Sequence, residues 1–211
     1  MSNKIGVFII ESRKIKEEFQ GKKQGLILTE IMTLIGIKSE YRYIRTQKEL
    51  DEMISQYYES DFRYLHFSMH GVSNKGGKPV SKFSLSLEQV SYDKFCEAII
   101  KKGVGKDGQR RLFISACNVL DEIATQFAVV NNSFISIVAP STRIRTSIAP
   151  LVWATFYHDI FTINKEFIKN SDIKENLNRI CSFFKVKFNG YFRKKNDSNQ
   201  YEIYSFPKQD K

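Results

Sequence analysis

Two short segments of the chain carry the residue types best suited to catalysis. His70-Gly71 follows a hydrophobic run at residues 63–69, and Cys117 follows a second run at residues 111–116. A thiol is a useful nucleophile only as a thiolate, and a histidine can take up its proton near neutral pH. Gly71 has no side chain, so its backbone N–H can point into a cleft and help hold an oxyanion. The pattern predicts acyl transfer with His70 and Cys117 as the catalytic pair.

Strands and helices alternate along the chain, and this alternation must position the two residues. Strands are predicted at residues 4–10, 39–44, 63–69, 111–116 and 134–139, and helices at 25–35, 46–58, 92–102, 121–130 and 148–161. The order predicts an α/β fold with a mostly parallel sheet and helices on both faces. Functional residues of such sheets gather at the carboxyl ends of the strands, where His70 and Cys117 both lie.

Three less regular segments complete the prediction. Residues 71–79 hold three glycines and a proline and are predicted to form a loop, and residues 83–90 alternate as a short hairpin does. Residues 172–184 are predicted to be helical, with strands at 185–193 and 201–206 around a polar turn at 194–199. We therefore expect one domain over residues 1–211, with a core at 1–165 and an extension at 166–211.

The composition is that of a globular chain. Hydrophobic residues make up 42% of the 211 residues, with 17 Phe and 10 Tyr, enough for a sizeable core. The longest apolar stretches fall short of the roughly 20 residues that a membrane helix needs. The first residues lack the apolar core and cleavage site of a signal peptide. We expect a cytoplasmic protein that does not bind a membrane.

The charge balance leaves nucleic acid open as a partner. Lys and Arg outnumber Asp and Glu by 33 to 23, for a net charge of +10. Such a surface can attract nucleic acid or acidic proteins. The sequence has no Cys/His finger and no aromatic RNA-binding strand motif, so a solvated basic surface is favoured.

The remaining candidate ligands are interpreted as structural. Cys96, Cys117 and Cys181 are widely spaced and odd in number, which fits neither a disulfide framework nor a zinc site. We expect Cys96, Cys181 and His66 to be core residues. No Gly-rich phosphate loop or metalloprotease helix is present, so no cofactor or metal is predicted.

The two catalytic segments resemble those of a known family. Ser68-Met69-His70-Gly71 and Ser115-Ala116-Cys117 are similar to the paired motifs of the caspase-like (clan CD) cysteine peptidases, with the CHAT type as the nearest match. Cys117 follows His70 by 47 residues, close to the spacing of about 50 in caspases. The resemblance covers residues 1–165 in element order.

The resemblance implies a three-layer caspase-like fold and a cysteine endopeptidase. Cys117 would attack a peptide carbonyl, His70 would transfer protons, and the backbone amides of Gly71 and Cys117 would form the oxyanion hole. Ser115 stands where relatives carry an acidic residue or glutamine in the specificity pocket, and Arg143 and Arg145 are candidates to bind an acidic side chain there. The implied partners are a peptide or protein substrate and a regulatory protein or ligand, with a bacterial defence role as one family-level expectation.

Two departures keep other functions open. Met69 stands where glycine is common before His-Gly, and Cys117 is followed by Asn118 rather than by a small residue. Either change can reshape the cleft. The first alternative is a catalytically inactive interaction module of the same fold, and the second is a basic nucleic-acid-binding α/β protein.

Overall fold

The computed structural model describes residues 6–21, 23–73, 79–103, 109–117, 120–129, 134–163, 168–194 and 197–208. The strands are β1 (Gly6–Glu11), β2 (Lys38–Tyr43), β3 (Tyr64–Ser68), β4 (His70–Ser73), β5 (Pro79–Ser84), β6 (Gln89–Ser91), β7 (Arg110–Ser115), β8 (Phe134–Pro140), β9 (Phe188–Lys194) and β10 (Asp197–Phe206). The helices are α1 (Ile15–Phe19), α2 (Gln24–Leu34), α3 (Gln47–Glu59), α4 (Tyr92–Gly103), α5 (Leu120–Val129), α6 (Ala149–Ile163) and α7 (Asn170–Phe184).

The main sheet has the order β10-β9-β8-β7-β3-β1-β2. The strands β8, β7, β3, β1 and β2 are parallel. At one edge β9 runs antiparallel to β8, and β10 runs antiparallel to β9. The predicted α/β class with a mostly parallel sheet is confirmed.

The strand alternation divides the core into two layers. Along β1, Phe8 and Ile10 join the cluster that contains Leu50, Phe95 and Phe127 of α3, α4 and α5. Val7 and Ile9 join the opposite cluster, which contains Leu28, Trp153 and Leu177 of α2, α6 and α7. Successive strand residues point to opposite faces, so a strand covered on both sides is hydrophobic throughout. The sheet is thus the middle of three layers.

The predicted start of α3 is confirmed in detail. The Thr46 side chain accepts a hydrogen bond from the Glu49 backbone, and the Glu49 side chain accepts one from the Thr46 backbone. This capping box satisfies two of the N–H groups that a helix start leaves without partners.

The predicted loop at residues 71–79 is wrong at both of its ends. Gly71–Ser73 continue from His70 as β4, which pairs with β5 and brings Gly71 opposite Phe83. Together with β6 they form a second sheet of order β4-β5-β6, and residues 74–78 lie outside the described part. The glycines indicated a loop, but the strand partners of residues 71–73 lie 6 to 12 positions further along the chain, and the local pattern cannot reveal them.

The C-terminal segment is continuous with the main sheet. β9 pairs with β8 through residues such as Ile137 and Tyr191, and Ile173 and Leu177 of α7 are buried in the same cluster as Trp153. The predicted turn at 194–199 gives way to strand from Asp197 onward, and residues 195 and 196 lie outside the described part. No described helix is both long and apolar enough to span a membrane.

Candidate active site

The candidate site lies where β3 and β7 end side by side. Ser68 is in register with Ser115, and the Met69 backbone N–H donates to the Ser115 carbonyl at 3.2 Å. Beyond this point β3 turns into β4 at His70, while β7 ends just before Cys117. The parallel register therefore places His70 and Cys117 at the same edge of the sheet, as the sequence predicts.

Gly71 lies directly against the backbone of Cys117. A Cβ atom at position 71 would come within 2.6 Å of the Cys117 carbonyl oxygen and 3.7 Å of the Tyr92 hydroxyl. The first distance is closer than any side chain tolerates, so the approach of these two segments requires glycine. The His-Gly segment and the cysteine are thus in contact through their backbones.

The Cys117 thiol is held by the segment between β8 and α6. Its Sγ accepts a hydrogen bond from the Ile144 backbone N–H at 3.4 Å and donates to the Ile144 carbonyl at 3.7 Å. Within the described residues no hydrogen bond joins this Sγ to His70. The thiol is partly buried, and the Ile144 side chain beside it is almost fully so.

His70 is bound by a carboxylate that the sequence analysis did not identify. Its Nε2 lies 2.5 Å from Oε2 of Glu17 on α1, with 19% of the histidine side chain and 23% of the glutamate side chain exposed. A carboxylate only accepts hydrogen bonds, so Nε2 carries the proton and the neutral ring leaves Nδ1 as its basic nitrogen. No described residue forms a hydrogen bond with Nδ1.

Burial and charge act on His70 in opposite directions. Burial lowers the pKa of His70 below its usual 6.5, and the hydrogen bond and charge of Glu17 oppose this shift without cancelling it. The ring is consequently neutral at pH 7. A neutral imidazole is the form that can accept a proton from a thiol.

A buried polar network lies behind the site. Arg13 donates to Glu11 at 2.8 Å, to the Ser68 hydroxyl at 2.8 Å and to the Gln24 side-chain oxygen at 3.0 Å. Gln24 in turn donates to the Ser115 hydroxyl at 2.9 Å. Because the Arg13–Glu11 pair is buried and fully hydrogen-bonded, it ties the ends of β1, β3 and β7 to α2.

Glu11 also fixes the beginning of α2. Its carboxylate accepts hydrogen bonds from the backbone N–H groups of Gln24 and Gly25 at 2.8 and 2.9 Å. A negative charge at a helix N-terminus is favourable because the first N–H groups lack partners within the helix.

An open groove adjoins Glu17, and we call it the Glu17 groove. It measures about 410 Å³ and lies between the α1–α2 region and the turn before α6. Its lining includes Glu17, Gln24, Ile27, Ser147 and Pro150. The groove is thus contiguous with the residue that binds His70 and with the segment that follows Ile144.

The residues predicted for the specificity pocket differ in exposure, since Ser115 is buried and the two arginines are on the surface. Ser115 is 5% exposed, and its hydroxyl is bonded to Gln24, so Gln24 rather than Ser115 faces the Glu17 groove. Arg143 and Arg145 are exposed on either side of Ile144. Asn118, which follows the cysteine, lies outside the described residues.

The other histidine and cysteine candidates behave as core residues. His66 is fully buried beside Trp153, and its Nδ1 lies 2.8 Å from the Tyr157 hydroxyl. Burial lowers the pKa of His66 to about 3, with a smaller contribution from Arg13. Cys96 and Cys181 are buried, and burial raises the pKa of each thiol to about 12. In the described part of the chain, no three His, Cys, Asp or Glu side chains are grouped to hold a metal.

Tyr92 is a second site residue that the sequence did not indicate. Its hydroxyl is buried beside Gly71 and has no hydrogen-bond partner among the residues that the structure describes. Burial raises the pKa of Tyr92, and the nearby Glu122 and Cys117 add to the shift. No local pattern in the sequence indicates Tyr92. Glu17 follows β1, and β1 lies beside β3 in the sheet, so the strand order, once known, indicates a carboxylate near His70.

Comparison with solved structures identifies the fold. A secreted C11 cysteine protease from Bacteroides thetaiotaomicron, iotapain, matches with a TM-score of 0.57 and 7% identity, over 91% of this chain and 67% of that chain. Caspase-1 from Spodoptera frugiperda matches with a TM-score of 0.54 and 11% identity, over 96% of this chain and 84% of that chain. The chain has the caspase-like fold. No protein-family model matches it, and no curated protein matches it by sequence.

The caspase-like fold confirms the three-layer architecture that the two motifs implied. At such low identity the similarity concerns the path of the backbone and not the side chains that act. The assignment of the site therefore depends on the contacts around His70, Gly71 and Cys117 in this chain.

Proposed function

We propose that the protein is a cysteine endopeptidase of the caspase-like type, with Cys117 as nucleophile and His70 as base and acid. The observation that carries the proposal is the backbone contact of Gly71 with Cys117 at adjoining strand ends, beside a histidine whose Nδ1 is available as a base. The caspase-like fold adds support, since it is shared with solved structures of a C11 cysteine protease and of a caspase.

The proposed reaction passes through an acyl-enzyme. His70 accepts the thiol proton, and the Cys117 sulfur attacks the peptide carbonyl carbon. The backbone N–H groups of Gly71 and Cys117 hold the oxyanion of the tetrahedral intermediate. His70 then protonates the leaving amine, and a water molecule that His70 deprotonates hydrolyses the thioester.

The Ile144 contact belongs to the resting enzyme in this proposal. A backbone N–H bonds more strongly to a charged sulfur than to a neutral one, so Ile144 supports the thiolate. Catalytic hydrogen bonds are often absent before substrate binds, and the Cys117–His70 contact would form as the substrate displaces this segment. Control by a regulatory protein or ligand would act on the same segment.

We propose that Glu17 positions His70. Its carboxylate holds Nε2–H, which selects the tautomer whose Nδ1 is basic, and it stabilises the imidazolium that forms when the thiol proton is taken up. Glu17 does not touch the reacting atoms, so its role is exerted through His70.

The substrate is proposed to lie along the Glu17 groove. Gln24 lines the groove and donates a hydrogen bond to Ser115. Ser115 would therefore influence substrate specificity only through its contact with Gln24. Arg143 and Arg145 are exposed near its end and are proposed to bind an acidic side chain of the substrate. Closeness to the CHAT type stays a prediction from the two motifs.

Turnover of a peptide library tests the proposal. We expect the wild-type protein to cleave peptides and Cys117→Ala to lose at least about a thousandfold in kcat/KM. The matched control is Cys181→Ala, which removes a buried thiol of α7 that forms no part of the proposed site and should retain turnover once its folding is verified by circular dichroism. Equal turnover by Cys117→Ala and the wild type would overturn the proposal.

A catalytically inactive interaction module is the second candidate, and one observation favours it. The thiol is bonded to Ile144 and His70 is bonded to Glu17, so the two are not paired with each other. A module of this kind would show no turnover by the wild type under any tested condition, while Cys117→Ala would keep every binding property.

A further inference from the structure

A large cavity lies at the end of the sheet opposite to Cys117. It measures about 780 Å³ and is bounded by the amino ends of β7 and β8, the end of β9 and the beginning of α7. We call it the Arg111 pocket after the residue at its base. Its size is within the roughly 300–1,000 Å³ typical of small-molecule sites.

The base of the pocket is a buried cation with neutral partners. Arg111 is 3% exposed and donates to the Ser136 hydroxyl at 2.9 Å, the Asn170 side-chain oxygen at 2.6 Å and the Ile168 carbonyl at 2.5 Å. Burial lowers the pKa of Arg111 to about 10, so the guanidinium keeps its charge at pH 7. No described carboxylate forms an ion pair with it.

A buried charge without a counter-ion is costly for a folded protein. The three neutral oxygens satisfy donors of the guanidinium but do not neutralise it. The carboxylate of Asp172 on α7 compensates part of this charge at longer range, and an anion in the pocket would compensate more of it.

The walls of the pocket carry charge of the same sign. Besides Arg111, the described lining contributes the cations Lys169, Lys174, Arg193 and Lys194, and one carboxylate, Glu202. Glu202 is already engaged, since it accepts from the Tyr204 hydroxyl at 2.9 Å and lies 3.6 Å from the Lys174 ammonium. The pocket thus presents several positive charges around one concave volume that opens to solvent.

The beginning of α7 adds to this field. Asn170 and Ser171, in the first turn of this 15-residue helix, line the pocket. Asp172 is directed to the Lys169 backbone N–H at 3.0 Å and does not line the pocket. The positive end of the helix dipole is directed to the pocket, and the Asp172 carboxylate offsets part of it.

We propose that the Arg111 pocket binds a small molecule that carries several phosphate groups. Multiple cations spread over a concave volume match several anionic groups on one ligand better than a single phosphate. Nucleic acid is disfavoured because the cations surround one concave pocket and do not follow an extended groove. The proposal is independent of the chemistry at Cys117.

Calorimetric titration with inorganic tripolyphosphate tests the proposal, at 150 mM salt and on Cys117→Ala so that no turnover interferes. The test variant is Lys169→Gln/Lys194→Gln, whose side chains are both exposed and whose removal leaves the core unchanged. The control is Lys101→Gln/Lys102→Gln, which removes the same charge from two exposed lysines at a separate groove near Asp51.

We expect the parent to bind tripolyphosphate, the test variant to bind at least about tenfold more weakly, and the control to bind within about twofold of the parent. Three results would overturn the proposal: no binding by the parent, equal weakening in both double variants, or binding of a single-stranded oligonucleotide that tripolyphosphate does not displace. The second result would indicate a general effect of net charge, and the third a nucleic-acid surface.

Discussion

The pairing of His70 with Glu17 determines which ring nitrogen can act. Because the carboxylate holds Nε2–H, the proposed proton transfer at the thiol would occur through Nδ1. The choice of tautomer depends on Glu17, which lies 53 positions before His70 in the sequence. Two residues hold the proposed catalytic pair in place: Glu17 binds His70, and Gly71 contacts Cys117. Substitution of each tests the site at the scale of single residues.

Replacing Glu17 should impair catalysis without impairing folding. Glu17→Gln removes the charge that raises the pKa of His70 against burial, so this pKa falls further below 6.5. We expect kcat to fall by about tenfold or more with KM nearly unchanged, and the acid limb of the pH–rate profile to move to lower pH. Glu30→Gln, a carboxylate in the same groove, is the control, and an unshifted profile for Glu17→Gln would refute the positioning role.

A methyl group at position 71 should separate the two halves of the site. Gly71→Ala places a Cβ 2.6 Å from the Cys117 carbonyl, so one of the two backbones must move. Displacements of this kind cost about tenfold to a hundredfold in rate. The measurement is kcat/KM with Ser81→Ala, an exposed position on β5, as control. Retention of full activity would show that the Gly71 contact does not shape the site.

At the scale of elements, the short helix α1 and the segment around Ile144 bring the remaining groups to the strand ends. α1 has five residues, none of them buried, and its Glu18 bonds to Arg45 and to the Tyr43 hydroxyl near β2. The position of Glu17 thus depends on long-range contacts. By contrast, α3 is specified almost entirely by its own sequence.

The capping box of α3 should contribute to stability and not to activity. Thr46→Ala removes the side-chain acceptor of the Glu49 N–H, and we expect a loss of about 1 kcal/mol in the free energy of unfolding. Ser55→Ala on the same helix removes a hydroxyl that bonds only to the Asp51 carbonyl, and it should leave stability almost unchanged. Urea unfolding measures both, and equal losses would argue against the cap.

Sequence patterns predicted those elements that local chemistry determines. The Thr46–Glu49 spacing and the uniformly apolar run of β1 gave the correct element types, and the strand ends placed His70 and Cys117 on one edge. The strand Gly71–Ser73 was missed because its partner β5 lies beyond residues 74–78. Glu17 was missed because its contact with His70 joins positions 53 residues apart, which no local spacing reveals.

At the scale of the whole molecule, the interior holds a histidine that must stay neutral. His66 sits in the layer below the sheet, with Tyr157 on Nδ1, Trp153 against the ring, and the charge of Arg13 near enough to lower its pKa. Its pKa of about 3 in the folded protein is below the 6.5 of an exposed histidine. The unfolded chain therefore binds more protons between these values, and stability must fall as pH falls through that range.

We expect His66 to cause about 2 kcal/mol of the stability lost between pH 6.5 and pH 5. His66→Gln should be less stable at pH 7, since it loses the fit to Tyr157, but its stability should depend less steeply on pH over this interval. Denaturant unfolding at a series of pH values measures the two slopes. Identical slopes in the wild type and His66→Gln would contradict the assignment of the buried neutral histidine.

The proposed catalytic pairing of Cys117 with His70 is tested most directly by labelling the protein with a peptide-based thiol electrophile and mapping the modified residue by mass spectrometry. We predict modification at Cys117 alone among the three cysteines, and labelling at pH 7 slowed by about tenfold or more in His70→Ala. Modification of Cys96 or Cys181 with Cys117 untouched, or an unchanged rate in His70→Ala, would contradict the account.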